Sequence, residues 1–161
     1  MAVELGAQAE DGFTPFELYF IDLMHHVSIQ QVEEEEAPGG VKMTLNPAYS
    51  GDSVLRAYEG EWGVKQWTPL MLGRALADYK ERIGGGARVV AVGPDFIELA
   101  QTRCEFGEPR EGRFSGNLCA VCRSATLAVA RSSGLGRECA AVGRCTIAQG
   151  CRVCDLTISF E

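Results

Sequence analysis

Leu72, Leu76, Tyr79 and Ile83 recur every three or four residues, the spacing of one helix face. Thr68-Pro69 caps the start of that helix. A threonine oxygen can accept an orphan backbone N–H there, and proline fits the first turn. The glycines Gly84–Gly86 end it. An earlier stretch repeats the pattern: Thr14-Pro15 opens it, and Phe16, Tyr19, Phe20 and Leu23 follow at helical spacing, which Val27 would extend. A third helix starts at Ser115 and runs to about Arg131, with Leu118, Cys122, Ala125 and Val129 on one face. Gly134 and Gly136 stop it.

Elsewhere the period shortens to two, the signature of strands. Val27–Val32 and Val41–Leu45 alternate on either side of an acidic run, Glu33–Glu36, and an Ala-Pro-Gly-Gly turn. Arg88–Val92 and Phe96–Ala100 flank Gly93-Pro94-Asp95, a hairpin signal. Cys154–Phe160 alternates again. Strands in hairpins with helices between them predict an α+β fold, not a doubly wound parallel sheet. The expected organisation is a flexible tail over residues 1–12 and a single domain over 13–161. In it, antiparallel hairpins are packed by two or three helices.

Composition changes this picture little. A chain of 161 residues with 46% apolar content can build one ordinary core without disulfides. The first residues, MAVELGAQAEDG, do not read as a signal peptide, and no run approaches the ~20 apolar residues of a membrane span. A cytoplasmic protein with reduced thiols is expected. The net charge of −7 is uneven. Residues 1–63 carry twelve Asp/Glu against Lys42 and Arg56, which argues against a nucleic-acid partner. Glu33–Glu36 reads as a solvated run, and the arginines of the last third are scattered among acids as a solvated surface.

The candidate chemistry lies in the cysteines. All seven fall after residue 103: Cys104, Cys119, Cys122, Cys139, Cys145, Cys151 and Cys154. Cys119/Cys122 and Cys151/Cys154 are C-x-x-C pairs, the spacing with which thiolates grip a tetrahedral zinc ion. Cys119 and Cys122 sit inside the expected third helix, where positions i and i+3 share a side. Cys139, Cys145, Cys151 and Cys154 are an alternative quartet for an iron–sulfur cluster. A redox pair at a helix start is a further reading, although the βαβ context of such motifs is missing. The only histidines, His25 and His26, are adjacent, and on a helix they cannot both face one site.

The segment from Cys104 onward resembles the 4-vinyl reductase domain family, also called hydrocarbon-binding domains. Four elements carry the resemblance: Cys104-Glu105-Phe106; Leu118-Cys119-Ala120 at a helix; Gly136 and Glu138 after it; and a closing motif of Cys145, Ala148, Gly150, Cys154, Leu156 and Ile158. It implies a structural zinc held by Cys119, Cys145 and Cys154, tying the C-terminal strand to the helix. Cys151 is the first choice for fourth ligand, with Cys122, Cys104 and Glu138 as alternatives. It also implies a ligand pocket beside Phe106; the expected occupant is an apolar or tetrapyrrole-like molecule, and Trp67 and Leu72 are further candidate lining residues.

The expected function is therefore a small-molecule-binding module, sensory or accessory, acting as a homodimer or through a separate output or enzyme partner. No catalytic residue stands out. The alternatives are an iron–sulfur or thiol redox protein and a component of a vinyl reductase in bacteriochlorophyll-type pigment synthesis. Against self-contained hydride chemistry, Gly84–Gly86 follows a helix and so does not form a dinucleotide loop.

Overall fold

The computed structural model describes residues 21–36, 40–82, 85–103, 115–136, 138–143 and 153–161, with the side chains of 41 and 115–120 excepted. Two antiparallel sheets and four helices make up the described chain. Helix α1 covers residues 21–25. Strands β1 (Val27–Gln31) and β2 (Val41–Leu45) form the first expected hairpin, with Ile29 opposite Met43. Helices α2 (Asp52–Trp62) and α3 (Pro69–Arg82) follow, then β3 (Ala87–Val92) and β4 (Phe96–Gln101). Helix α4 (Ser115–Ser132), β5 (Cys139–Val142) and β6 (Cys154–Phe160) complete the order.

The larger sheet runs β3-β4-β6-β5, with every neighbouring pair antiparallel. Its two central strands pair Ile97 with Ile158 and Leu99 with Leu156. Ile97 and Ile158 are wholly buried, each contributing on the order of 1.5–3 kcal/mol by leaving water. The turn between β3 and β4 falls at Gly93-Pro94-Asp95 as expected. Gly93 donates its N–H to the Phe96 carbonyl, and the Asp95 carbonyl accepts from Phe160 of β6. Helix α3 sits on this sheet at Gly73, where an added Cβ would come within 3.1–3.2 Å of Ile97 and Val89.

Thr68 caps α3 as its sequence suggests: its hydroxyl oxygen accepts from the Met71 N–H at 3.2 Å. Leu72, Leu76 and Tyr79 all point into the core, beside Tyr58 of α2 and Val129 and Ala130 of α4. Helix α2 is an addition to the two or three helices expected. It starts at Gly51, in the left-handed region with φ 75°, without a side-chain cap. Gly51 lies so close to Val129 of α4 that a Cβ there would meet backbone at 2.9 Å. The Ser132 hydroxyl, donating to the Ser50 carbonyl at 2.6 Å, ties the same two regions together.

The β1–β2 hairpin leans on α4 around a small second cluster of Leu23, Tyr49 and Ala125. Glu33–Glu36 are exposed, as a solvated run should be. No described helix is long and apolar enough to cross a membrane. Thr14, Pro15, Phe16, Tyr19, Phe20, Ile83 and Gly84 lie outside the described residues.

Candidate functional site

One end of the large sheet gathers the chemistry. Strand β4 finishes at Gln101, and β6 begins directly opposite it at Cys154. The last turns of α3 bring Lys80 to the same end, because Gly85, bonded to the Lys80 carbonyl, leads into β3 beside Gln101. Helix α4 arrives with Cys122, whose sulfur lies 3.4 Å from the Lys80 ammonium nitrogen. Next to Cys122 and Cys154 in sequence are Arg123 and Asp155. A Cβ on Gly143 would lie 3.3 Å from the Arg123 guanidinium and 3.0 Å from the Asp155 carbonyl. The start of β6, the exit of β5 and the Arg123 side chain from the middle of α4 therefore converge.

Lys80 is the residue that sequence reading missed. It occupies an ordinary helix position, yet only 5% of its surface reaches solvent. Lysine is almost never that buried unless its charge is met. Two other buried polar residues belong to the same elements. Gln101 ends β4, and Thr126, one turn after Cys122, donates its hydroxyl to the Cys122 carbonyl at 2.8 Å. No local signal marked Lys80, because its burial depends on where α4 packs.

The expected ligands divide by position. Cys154 opens β6 and is partly buried; Cys122 is partly buried on α4. The backbone of Cys119 lies in α4, one turn before Cys122. Cys104, Phe106, Cys145 and Cys151 lie outside the described residues. Cys139 is elsewhere: it pairs with Phe160, at the other end of β6 from Cys154. At ~3.4 Å per residue that separation is about 20 Å, so these two thiols cannot share one ion or one cluster. The quartet of Cys139, Cys145, Cys151 and Cys154 is thereby ruled out as a single centre. Glu138 exchanges backbone bonds with Glu161 at that same far end, which removes it as a fourth ligand alongside Cys154. Burial pushes the Cys139 thiol up from its ordinary range, only partly offset by Arg131, as for a thiol serving as a small core residue. Among the described residues, no three His, Cys, Asp or Glu side chains are grouped to hold a metal ion.

Trp67 and Leu72, the further pocket residues expected, are both buried in the main core. The Trp67 indole N–H donates to Glu59 at 3.0 Å, fixing the α2–α3 connection. A polar cleft of about 90 Å³ lies at the start of α2, lined by Asp22, His26, Tyr49, Ser50 and Ser53 among others. It is well short of the ~300 Å³ a drug-sized ligand needs. His26 lines this cleft while its neighbour His25 is exposed. The His26 Nδ1 must carry a proton, since it lies 2.8 Å from the Asp22 carbonyl, which can only accept.

All described strand pairs are antiparallel, so the βαβ unit of thioredoxin-like redox motifs is not formed by them. Neither a family model nor a curated protein matches the chain.

Proposed function

We propose that the chain is a small-molecule-binding module of the 4-vinyl-reductase-like kind, in which cysteines hold a structural zinc. The proposed ligands are Cys119, Cys145 and Cys154, with Cys151 as the fourth. Zinc bound by four thiolates has no open coordination position, so it would serve the fold and not a reaction. Its role is to pin the start of β6 to α4. The ligand is an apolar or tetrapyrrole-like molecule held beneath α4, beside Phe106.

The observation that carries this reading is the convergence around Gly143, where Arg123 of α4 and Asp155 of β6 both approach. Cys154 precedes Asp155, and Cys119 lies one turn before Cys122 and Arg123. Two of the proposed thiol positions thus lie within a few residues of groups that both approach Gly143.

Elemental analysis of anaerobically purified protein tests the metal. The expected result is about one zinc per chain, lost in Cys145→Ser together with thermal stability. Metal-free protein with an unchanged melting temperature would overturn the proposal. Brown protein with broad visible absorption would replace zinc by an iron–sulfur cluster.

A further inference from the structure

The cleft at the start of α2 contains no thiol and takes no part in the zinc reading. Tyr49, more than nine-tenths buried, is one of its lining residues. The Tyr49 ring packs with Leu23 and Ala125, and its centroid lies 5.5 Å from that of His26. Burial, and after it the charge of Asp22 in the same cleft, push its pKa up to about 12, so it stays a donor at neutral pH. A buried hydroxyl is normally hydrogen-bonded, as that of Tyr58 is to Asp78. The Tyr49 hydroxyl has no such partner among the described residues.

The open end of α2 is the second observation. This helix of 11 residues begins at Gly51 without a side-chain cap. The Asp52 N–H reaches the Ser50 hydroxyl at 3.3 Å, and the Val54 N–H returns to the Gly51 carbonyl at 3.1 Å. Between them, the N–H of the lining residue Ser53 has no described partner. A helix N-terminus carries partial positive charge. Asp52 is not a lining residue, and its carboxylate faces Arg56 at 3.8 Å. The negative charge in the cleft is instead that of Asp22, on α1. Its carboxylate is half exposed and lies 3.7 Å from His26 Nδ1.

We propose that this cleft binds a small zwitterionic amino acid of the size of glycine, its carboxylate on the Ser53 N–H and the Tyr49 hydroxyl and its ammonium on Asp22. Charge decides against simpler ligands. A lone anion would meet the Asp22 carboxylate, and a lone cation would meet the positive end of α2. Size decides the rest. A closed cavity of about 150 Å³ takes benzene, so an open cleft of about 90 Å³ suits a molecule of roughly five non-hydrogen atoms.

Calorimetric titration of the intact chain with glycine tests the site, with acetate and methylammonium as the two halves of the ligand. Glycine should bind saturably, at least about tenfold more tightly than either half. Tyr49→Phe keeps the ring and should weaken glycine about tenfold or more, since a hydrogen bond to a charged group is lost. Asp22→Asn alters an exposed side chain, leaves the backbone carbonyl that His26 uses, and should weaken glycine by a similar factor while sparing acetate. Thermal melting checks that each variant is folded; should Tyr49→Phe not fold, Asp22→Asn decides. Absence of saturable glycine binding overturns the proposal. So does acetate binding as tightly as glycine, which would make the cleft an anion site. Glycine binding unchanged in either folded variant would place the ligand elsewhere and overturn it too. None of these outcomes depends on whether Cys145→Ser loses zinc.

Discussion

The Tyr58 hydroxyl donates a 2.6 Å hydrogen bond to Oδ2 of Asp78, and so joins the middle of α2 to the last turns of α3. The same carboxylate oxygen accepts from Arg82 at 2.7 Å, and Arg82 reaches back to Glu61 at 2.6 Å. Tyr58 is wholly buried, with its ring edge-on to Trp62. The pairs on the Arg82 side are more than a third exposed, and pairs of that kind contribute little on their own. The hydroxyl is the part of the network that has left water.

Tyr58→Phe keeps the ring and deletes only that hydroxyl. A hydrogen bond to a charged group contributes about 1.5–3 kcal/mol, and the loss should fall in that range. Urea unfolding, with an unchanged slope and a lower midpoint, is the expected record. An unshifted midpoint would mean that the α2–α3 clasp is incidental.

Two glycines in the left-handed region separate backbone strain from crowding. Gly51 and Gly63 have similar φ, 75° and 66°, and bound α2 at its two ends. A Cβ on Gly63 meets nothing within 4 Å, whereas one on Gly51 runs into the backbone of Val129. Gly63→Ala should therefore cost roughly 1–2 kcal/mol from strain alone. Gly51→Ala should cost at least about 2 kcal/mol more, because helix α4 must move. Equal losses in thermal or urea denaturation would show that the α2–α4 contact yields freely.

Alkaline pH should destabilise the fold through its buried phenols. Burial, with the Asp22 charge as a second cause, pushes Tyr49 up to about 12. Burial and the bond to Asp78 push Tyr58 higher still. Both groups bind their protons more tightly when folded than the ordinary value of ~10 allows unfolded. Their contribution is thus complete below pH 10 and is lost as pH rises through the folded value. Each group should steepen the decline by roughly 1.4 kcal/mol per pH unit above 10. Phenolate absorbance should show at least two of the four tyrosines still protonated at pH 11. All four ionising together near pH 10 in folded protein would contradict this.

Most elements were legible because they announce themselves locally. Thr68 and the Leu72–Leu76–Tyr79 stripe marked α3, and Gly93-Pro94-Asp95 marked the β3–β4 hairpin. Helix α2 was missed because Gly51 replaces a capping side chain and Gly60 interrupts its polar face. Its stripe of Val54, Leu55, Tyr58 and Trp62 was nevertheless there to be read. Strand β5 has four residues, two of them alanine, too few to show a period. The site was legible only as a set of thiols. Which of them meet is decided by register: Cys139 opposite Phe160 and Cys154 opposite Gln101 put two neighbours in composition at opposite ends of one strand. Lys80 had no signal at all, since nothing in a helix repeat says which lysine a neighbouring helix will cover.

The strand order β3-β4-β6-β5 has a kinetic consequence. The β3–β4 hairpin has a short turn and can close early, on the microsecond scale of such units. Strand β5, by contrast, is paired to β6 alone and has no place in the sheet until residues 154–160 have been inserted between it and β4. That insertion joins segments far apart in the chain, and long loop closures of this kind slow folding. During synthesis the inner edge of β4, carrying Ile97 and Leu99, stays open until the ribosome has released Cys154–Phe160. The nascent chain is most prone to aggregation in that interval.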